Sequence, residues 1–451
     1  MLNFLKKYKL THVRFKSIYW NDRSHPNDKK FSKILIANRG EIAVRIIETC
    51  KRINVKTLCI YSEADYQAKH VAMADESVMV GPASVNQSYL DTEKIINIAV
   101  EHNCEAVHPG YGFLSENTEF CKELDHNNIK FIGPSHRAIK AMGDKIESKR
   151  IAKKANVNMI PGFDGEIKNE EHAVEISKEI GFPVMIKASA GGGGKGMRIA
   201  WNQEEVVSGY TLSKAEAKSS FGDDRMLIEK YIENPRHIEI QVLSDNFGNF
   251  IHLNERECSI QRRNQKIIEE SPSTFLNNDL RQEMTKQAIM LAQEVSYNSA
   301  GTVEFLVDKY KKFYFLEMNT RLQVEHPITE CVTGIDIVHQ MMRVASDNKL
   351  LHQQSDIPLN GWALESRIYA EDPLVNFAPS IGFLTQYTEP LTDNVRCDSG
   401  VMKGSEISVY YDPMICKLIT YGDNRKEALK HMHNALTNYV ISGIHLLDSR
   451  E

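Results

Sequence analysis

Two apolar segments near the middle of the chain each carry a glutamate, and this pair constrains the fold more than any other feature. Residues 302–307 and 313–319 are separated by a short polar stretch, which predicts two strands joined by a turn. Glu304 and Glu317 lie among aromatic and aliphatic neighbours, where an unpaired carboxylate is costly. Oxygen ligands from Glu304, Glu317 and Asn319 are those that Mg²⁺ prefers, so the two strands predict a metal site.

The polar residues after the second strand extend this predicted site. If the chain stays extended, side chains two residues apart share a face, and that face carries Glu317, Asn319, Arg321, Gln323 and Glu325. The planar guanidinium of Arg321 matches a small oxyanion such as bicarbonate, and Glu325 is close enough in sequence to act as its base. The alternative is a solvated polar face, which the apolar flanks argue against.

A glycine tract follows another apolar strand, residues 183–187, and is typical of a loop over phosphates. The tract holds Gly191, Gly192, Gly193, Gly194 and Gly196. Glycines let backbone amides approach phosphate oxygens that a Cβ would block. No Ser or Thr follows the Gly-Lys pair as in a Walker loop, and residues 197–200 read as a strand. We therefore predict a hairpin flap over a triphosphate, with a flexible linker as the alternative.

Lys187 lies in the strand before the glycine tract. Its neighbours are apolar, so a role for its ammonium on a phosphate is favoured over free burial. The alternative is a lysine paired with a structural carboxylate.

The N-terminal part of the chain alternates short apolar runs with helical periodicity. Runs at 33–37, 57–61, 106–108 and 130–132 predict βαβ units and a parallel sheet. The turn after the first run has one glycine, Gly40, where a dinucleotide fingerprint needs three. A Rossmann dehydrogenase is therefore not favoured.

Glycines and prolines divide the rest of the chain into further domains. We predict an α/β protein with a parallel-sheet N-terminal domain, a central nucleotide-binding domain with the flap, and an α+β C-terminal domain. The predicted ranges are 1–32 for a mitochondrial presequence or disordered segment, 33–144, 145–361 with a flap subdomain at about 160–232, and 362–451.

Composition excludes several classes of function. The formal charge of -5 over 451 residues gives no basic surplus for nucleic acid. No apolar run approaches the length of a membrane-spanning helix. The eight cysteines include no C-x-x-C pair, which argues against a zinc knot and a disulfide framework and favours a reducing compartment.

The first twenty residues differ from the rest in charge. They contain five basic residues and no acidic one, which is the bias of a mitochondrial presequence. The alternative is a disordered basic tail. With a presequence, the mitochondrial matrix is the predicted location.

A second basic cluster occupies residues 261–266 and follows Cys258. By charge alone such a cluster is more often a solvated loop than a site. Cys258 has no nearby histidine or helix start to activate its thiol, so we predict a structural cysteine.

Taken together, these segments resemble the biotin carboxylases, the ATP-grasp module of the biotin-dependent carboxylases. The resemblance covers about 33–444 and is carried by eleven ordered motifs: IANRGEIAVRII, HPGYGFLSEN, FIGP, MGDK, KASAGGGGKGMRI, EKYIENPRHIEIQV, ERECSIQRRNQK, EFLVD, FLEMNTRLQVEHPITE, RIYAEDP and YYDPMICKLI. The stretches IPGFDG, SSFGDDR and NERECSIQRRNQK are particularly similar to α subunits of propionyl-CoA carboxylases.

The resemblance implies a ligase that carboxylates biotin with ATP and bicarbonate. It places Mg²⁺ or Mn²⁺ on Glu304, Glu317 and Asn319, in agreement with the strand argument. It implies ATP contacts from Lys145, Lys187, the glycine flap, Glu229, Lys230, His237, Gln261 and Asn264.

The catalytic roles also come from the resemblance. Bicarbonate is held by Lys266, Arg321, Gln323 and the backbone of Val324, and Glu325 is the base. Arg367 stabilises the enolate oxygen of biotin. Biotin is then a substrate, free or on another domain, because the nearest biotinyl-like sequence here, residues 401–404, has the wrong fourth residue.

Family α subunits pair with a carboxyltransferase β subunit and form homodimers through the biotin carboxylase module. The closing residues leave the family pattern after Ile444, so we expect a truncated C-terminal domain with an uncovered apolar face around Met432, Leu436 and Val440.

Three alternatives remain open. The chain could serve methylcrotonyl-CoA carboxylase or another acyl-CoA carboxylase. It could be another ATP-grasp ligase, although RLQVEHP and RIYAEDP favour biotin. It could also be a truncated chain without complete activity.

Overall fold

The N-terminal domain is a parallel sheet covered by helices. The computed structural model describes residues 18–190 and 196–444. Five parallel strands lie in the order β3-β2-β1-β4-β5, which confirms the predicted βαβ units. The elements are β1 Lys33–Ile36, α1 Gly40–Ile53, β2 Lys56–Ser62, α2 Lys69–Met73, β3 Glu76–Gly81, α3 Thr92–Glu101, β4 Ala106–His108, α4 Thr118–His126, β5 Lys130–Phe131 and α5 His136–Gly143.

Residues 18–32, which precede β1, lie against the body of the protein. Asp22 accepts a hydrogen bond from Gln340 at 2.7 Å and pairs with Arg52, and Asp28 pairs with Arg343 at 2.9 Å. The prediction of disorder over 1–32 is therefore wrong for residues 18–32, and residues 1–17 lie outside the described residues. The prediction used the local charge bias of the sequence. The buried residues that hold this segment, Gln340 and Arg343, are more than three hundred residues away along the chain.

A small lobe with its own core follows. Three antiparallel strands in the order β7-β6-β8 pack with two helices around an apolar cluster that runs from Ile167 to Ile228. The strand predicted after the glycine tract is β7. The elements of this stretch are α6 Lys145–Lys154, α7 Glu170–Ile180, β6 Val184–Ala188, β7 Met197–Ala200, α8 Gln203–Phe221 and β8 Met226–Lys230.

An eight-stranded antiparallel sheet forms the centre of the molecule. Its order is β13-β12-β9-β10-β11-β14-β21-β19. The predicted strand pair is β12 and β13, with Glu304 directly opposite Glu317. The first elements of this sheet and its helices are β9 Arg236–Ser244, β10 Phe250–Arg262, β11 Gln265–Ser271, α9 Asn278–Glu294, β12 Ser299–Val307, β13 Phe313–Asn319, α10 His326–Thr333 and α11 Ile337–Ala345.

The C-terminal region continues the same sheet. Strand β14 pairs with β11, so the sheet runs across the boundary predicted at 361/362. The remaining elements are β14 Trp362–Tyr369, β15 Glu371–Asp372, β16 Ala378–Pro379, β17 Gly382–Phe383, β18 Gln386–Thr388, β19 Val395–Ser399, β20 Glu406–Ile407, β21 Met414–Gly422, α12 Arg425–Asn438 and β22 Val440–Ser442.

Helix α12 has an apolar face that is covered. Met432 and Leu436 are buried in the C-terminal core, so the predicted uncovered face is wrong for these two residues. Only Val440 of the three is exposed. The face packs mainly on β21, β14 and β19.

None of the helices in the described part of the chain has the length and apolar character needed to cross a membrane.

Candidate functional site

A row of charged side chains crosses the large sheet from edge to edge. Residues directly opposite each other on neighbouring strands project to the same face. The first four members of the row are connected to one another as direct partners on neighbouring strands, and so are the last three. Each of the eight strands contributes one member, in the order Glu317, Glu304, Glu239, Arg256, Lys266, Arg367, Lys417 and Asp398.

Lys266 lies at the centre of the row. Its Nζ contacts Glu239 Oε2 at 2.5 Å, Glu304 Oε1 at 3.0 Å and Glu325 Oε1 at 2.6 Å. Burial alone would lower the pKa of Lys266, but the three carboxylates outweigh it and hold the pKa well above its usual value. The ammonium is thus a fixed positive charge.

Glu325 is held between two cations. Lys266 contacts one of its oxygens, and Arg367 Nη2 donates to Glu325 Oε2 at 2.9 Å. Burial raises the pKa of Glu325, but Lys266, Arg367 and Arg256 lower it well below its usual range. Glu325 is therefore ionised at neutral pH, as a general base must be.

Arg367 connects Glu325 to a second buried carboxyl. Its Nε donates to Glu269 Oε1 at 2.7 Å. Burial raises the pKa of Glu269 to about 7, although Arg367 opposes the shift. The guanidinium is oriented from two sides by these carboxyl groups.

Arg256 connects the same network to neighbouring segments. All five of its N–H groups are engaged, on Glu239, Gln241, Thr302, Gln323 and Thr329 at distances between 2.5 and 3.1 Å. The residue is completely buried. Its side chain fixes β9, β12 and the segment before α10 relative to one another.

The segment after β13 does not stay extended, so that part of the prediction is wrong. The strand ends at Asn319 and the chain turns before α10 begins at His326. The predicted residues nevertheless converge: Gln323 Nε2 donates to Glu304 Oε1 at 2.8 Å, and the carbonyl oxygen of Val324 accepts from Lys417 Nζ at 2.9 Å. A turn at the sheet edge brings Glu325 back over the row.

Arg321 is oriented by the N-terminal domain. Its Nε donates to Glu116 Oε2 at 2.9 Å, and its Nη2 donates to Asn319 Oδ1 at 2.9 Å. Glu116 lies just before α4 and also accepts from Thr320. The contact ties the turn after β13 to the parallel-sheet domain.

The predicted metal ligands lie together. Glu304 and Glu317 are direct partners on β12 and β13, and Asn319 Nδ2 donates to Glu304 Oε1 at 2.9 Å. Burial and the neighbouring Glu304 raise the pKa of Glu317, while Lys266 and His237 overcome burial and keep the pKa of Glu304 low. A divalent cation between the two carboxylates would remove their repulsion, so these residues fit the metal.

A cluster of lysines lies within electrostatic reach of Glu317. Asp144 caps α6, which carries Lys145 and Lys149. Lys187 on β6 forms an ion pair with Glu229 Oε2 on β8 at 2.8 Å, and Lys149 pairs with the other oxygen of Glu229. Burial and the nearby Lys145 lower the pKa of Lys187 to about 8.

The other predicted nucleotide residues each have their own contacts. His237 Nε2 lies 3.0 Å from Glu304 Oε2. Lys230 donates to the carbonyls of Gly181 and Phe182 at 3.0 and 2.7 Å, so its ammonium stabilises the turn before β6. Gln261 Nε2 donates to the carbonyl of Cys258 at 2.8 Å.

Asn264 lies at the tip of the β10–β11 hairpin with a φ of 65°. Gly196, the described end of the flap, has a φ of 68°, and a Cβ there would meet the Cβ of Ala188 at 2.9 Å. A glycine is therefore required at 196. Gly191, Gly192, Gly193 and Gly194 lie outside the described residues. Cys258 is buried, and burial raises the pKa of its thiol, in line with a structural cysteine.

Sequence reasoning missed several members of the site. Glu239 follows His237 at strand spacing, and this alternation could have revealed it. Glu116, Arg256 and Lys417 gave no comparable signal, because their contacts join residues from distant parts of the chain.

Comparisons with known proteins agree with this geometry. The family models that match are "Biotin carboxylase, N-terminal domain" over residues 30–139, "Carbamoyl-phosphate synthase L chain, ATP binding domain" over 144–353 and "Biotin carboxylase C-terminal domain" over 365–447. The mitochondrial propionyl-CoA carboxylase alpha chain of Sus scrofa is 63% identical over 93% of this chain. This chain spans 58% of that relative's length.

Two further relatives are covered over nearly their whole length. Biotin carboxylase 1 of Bacillus subtilis is 50% identical over 91% of this chain and 92% of its own. The biotin carboxylase domain dimer of Hydrogenobacter thermophilus 2-oxoglutarate carboxylase, solved with MgADP, ADP and bicarbonate, superposes with a TM-score of 0.90. That domain is 48% identical, with 93% of this chain and 92% of the domain covered. By sequence and by structure, this chain belongs to the biotin carboxylase family.

Proposed function

We propose that this chain carboxylates biotin with ATP and bicarbonate, as the biotin carboxylase part of a propionyl-CoA carboxylase. The observation that carries the proposal is Glu325, an ionised carboxylate held between Lys266 and Arg367. This arrangement places a base between two cations. Each cation can then stabilise a different anionic reactant.

The nucleotide binds between the lysine cluster and the row. We assign the phosphates to Lys145, Lys187 and the glycines of residues 191–196. Mg²⁺ held by Glu304, Glu317 and Asn319 would neutralise phosphate charge. Gln261, His237 and Asn264 complete the nucleotide pocket.

Bicarbonate binds to Lys266, Arg321, Gln323 and the backbone of Val324. Glu325 removes its proton, and the resulting oxygen attacks the γ-phosphorus as the bond to ADP breaks. The products are carboxyphosphate and ADP. Lys266 and Arg321 stabilise the negative charge through this step.

Carboxyphosphate then breaks into CO₂ and phosphate, and the phosphate takes the proton from biotin N1. Arg367 stabilises the enolate oxygen of the deprotonated biotin. The N1 nitrogen attacks CO₂ to form the new C–N bond. Because Arg367 is already oriented by Glu269 and Glu325, it needs little reorganisation.

The test is ATP cleavage by the purified chain with Mg²⁺ and labelled bicarbonate, with and without free biotin. We expect bicarbonate-dependent release of phosphate and label in carboxybiotin. Free biotin lacks the effective concentration of a tethered domain, so a high apparent KM is expected. Absence of both activities in a folded chain would contradict the proposal.

The metal assignment has its own test. Glu317→Gln removes one carboxylate from the facing pair and should raise the Mg²⁺ concentration needed for half-maximal ATP cleavage, while thermal stability changes little. The matched control is Glu283→Gln, an exposed glutamate of α9. Equal Mg²⁺ dependence in both variants would contradict this assignment.

Propionyl-CoA is the proposed acyl acceptor, supported by 63% identity to the propionyl-CoA carboxylase alpha chain. We further propose a mitochondrial matrix location, a homodimer as in the solved domain dimer, and a carboxyltransferase β subunit as partner.

Supplying a biotinyl domain, a β subunit and either propionyl-CoA, 3-methylcrotonyl-CoA or acetyl-CoA tests the acceptor. We expect label in methylmalonyl-CoA, and preferential label in another product would reassign the acceptor.

A further inference from the structure

Three lysines lie at the proposed nucleotide end, and two of them share one carboxylate. Lys145 and Lys149 are four residues apart on α6 and therefore on the same face of the helix. Lys187 comes from β6, and Glu229 on β8 is the acidic residue that pairs with Lys149 and with Lys187. Cations are thus in excess at this end of the site.

Glu229 is buried, with a side chain only 2% exposed. A buried carboxylate without a partner is strongly unfavourable. One oxygen faces Lys149 and the other faces Lys187. Glu229 therefore needs at least one ammonium whether or not a nucleotide is bound.

We propose that Lys149 is a positioning residue that serves as the permanent counter-ion of Glu229 and thereby frees Lys187 to bind a nucleotide phosphate. The inference rests on the proposed function, because it takes the ligand at this end to be a nucleoside triphosphate. Lys187 cannot fully neutralise Glu229 and a phosphate at the same time. With Lys149 in place, its ammonium can move to the phosphate without leaving Glu229 unpaired.

The environment of Lys149 fits this role. Its side chain is 18% exposed and contacts Glu229. Burial, together with the ammonium groups of Lys187 and Lys145, lowers the pKa of Lys149, and Asp164 opposes the shift. Lys153, one turn further along α6, differs in being 65% exposed and pairing with Asp164 at the surface.

The experiment compares Lys149→Met, Lys149→Arg and the control Lys153→Met in the bicarbonate-dependent ATPase assay and in direct binding of a non-hydrolysable ATP analogue. For Lys149→Met we expect KM for ATP and the Kd of the analogue to rise about 5- to 50-fold, which lies within the range of coupling between residues in contact. The values of kcat and the KM for bicarbonate should change little. Lys149→Arg should retain most of the affinity, and Lys153→Met should match the wild type.

A double-mutant cycle tests the counter-ion role itself. In a Glu229→Gln background no carboxylate needs neutralising, so Lys149→Met should weaken analogue binding far less than it does in the wild type. An equal loss in both backgrounds, or unchanged binding by the folded Lys149→Met single variant, would overturn the inference. Failure of the wild-type chain to bind the analogue would instead overturn the proposed function.

Discussion

The two ends of the site differ in how their positive and negative charges are balanced. At the sheet end, Lys266, Arg256 and Arg367 each contact at least one buried carboxylate. At the lysine end, Lys149 and Lys187 share Glu229, with Lys145 close by. The pKa of Lys266 is raised well above its usual value, whereas burial and Lys145 lower the pKa of Lys187 to about 8.

We interpret the sheet end as preorganised and the lysine end as arranged to bind a ligand. The network at the sheet end holds Glu325 and its arginines in place before any substrate arrives, which reduces reorganisation during a reaction. The lysine end has cations in excess and gains most from a polyanion such as a triphosphate. The predictions below test whether the two ends behave in these two ways.

The largest effect is expected for Glu325→Gln. The amide cannot accept the bicarbonate proton, so bicarbonate-dependent ATP cleavage should fall by about 10² to 10⁴-fold. Affinity for ATP should be nearly unchanged, because Glu325 lies at the sheet end. Phosphate release and analogue binding measure the two quantities, and a joint loss of both would contradict the separation of the two ends.

Removing one partner from the charge network at the sheet end should also lower the stability of the fold more than removing an exposed charge. Arg256→Met removes one of the two cations that pair with Glu239 and leaves several polar groups buried without their donor. Breaking a buried ion pair in this way typically costs about 3–5 kcal/mol. Urea denaturation measures the loss. Arg263→Met is the matched control, since Arg263 is exposed and donates to Asn376. Similar stability of the two variants would show that the network is not preorganised as described.

A smaller effect is expected from pH at the lysine end. The ammonium of Lys187 is lost as pH rises through its pKa of about 8, so KM for ATP should stay nearly level up to about pH 7 and rise above it. A group that must be charged gives about a fivefold rise between pH 8 and pH 9. Lys187→Arg keeps its charge at these pH values and should flatten the profile. An unaltered profile in that variant would assign the rise to another group.

Local patterns predicted much of this molecule. The apolar runs at 33–37 and 106–108 became β1 and β4 of the parallel sheet. The carboxylates at 304 and 317 became direct strand partners. Each of these features depends on residues close in sequence or on the period of a strand, which the sequence displays directly. The ordered motifs also predicted the family, which the comparisons confirm.

Other parts of the site depended on contacts between distant segments. Glu325 was placed in the site by sequence on the premise of an extended chain, yet it reaches Lys266 and Arg367 because the chain turns after Asn319. Glu116 orients Arg321 from 205 residues away. Neither contact has a local signature.

By itself, the sequence predicted a set of candidate site residues, since strand period, glycine content and ordered motifs are local properties. Only the tertiary structure decided how their charges are matched. Strand β14 joins β11 and brings Arg367 beside Glu269, and α6 places Lys149 against Glu229. Burial and neighbouring charge set the protonation of each group, and both arise only when segments far apart in sequence pack together.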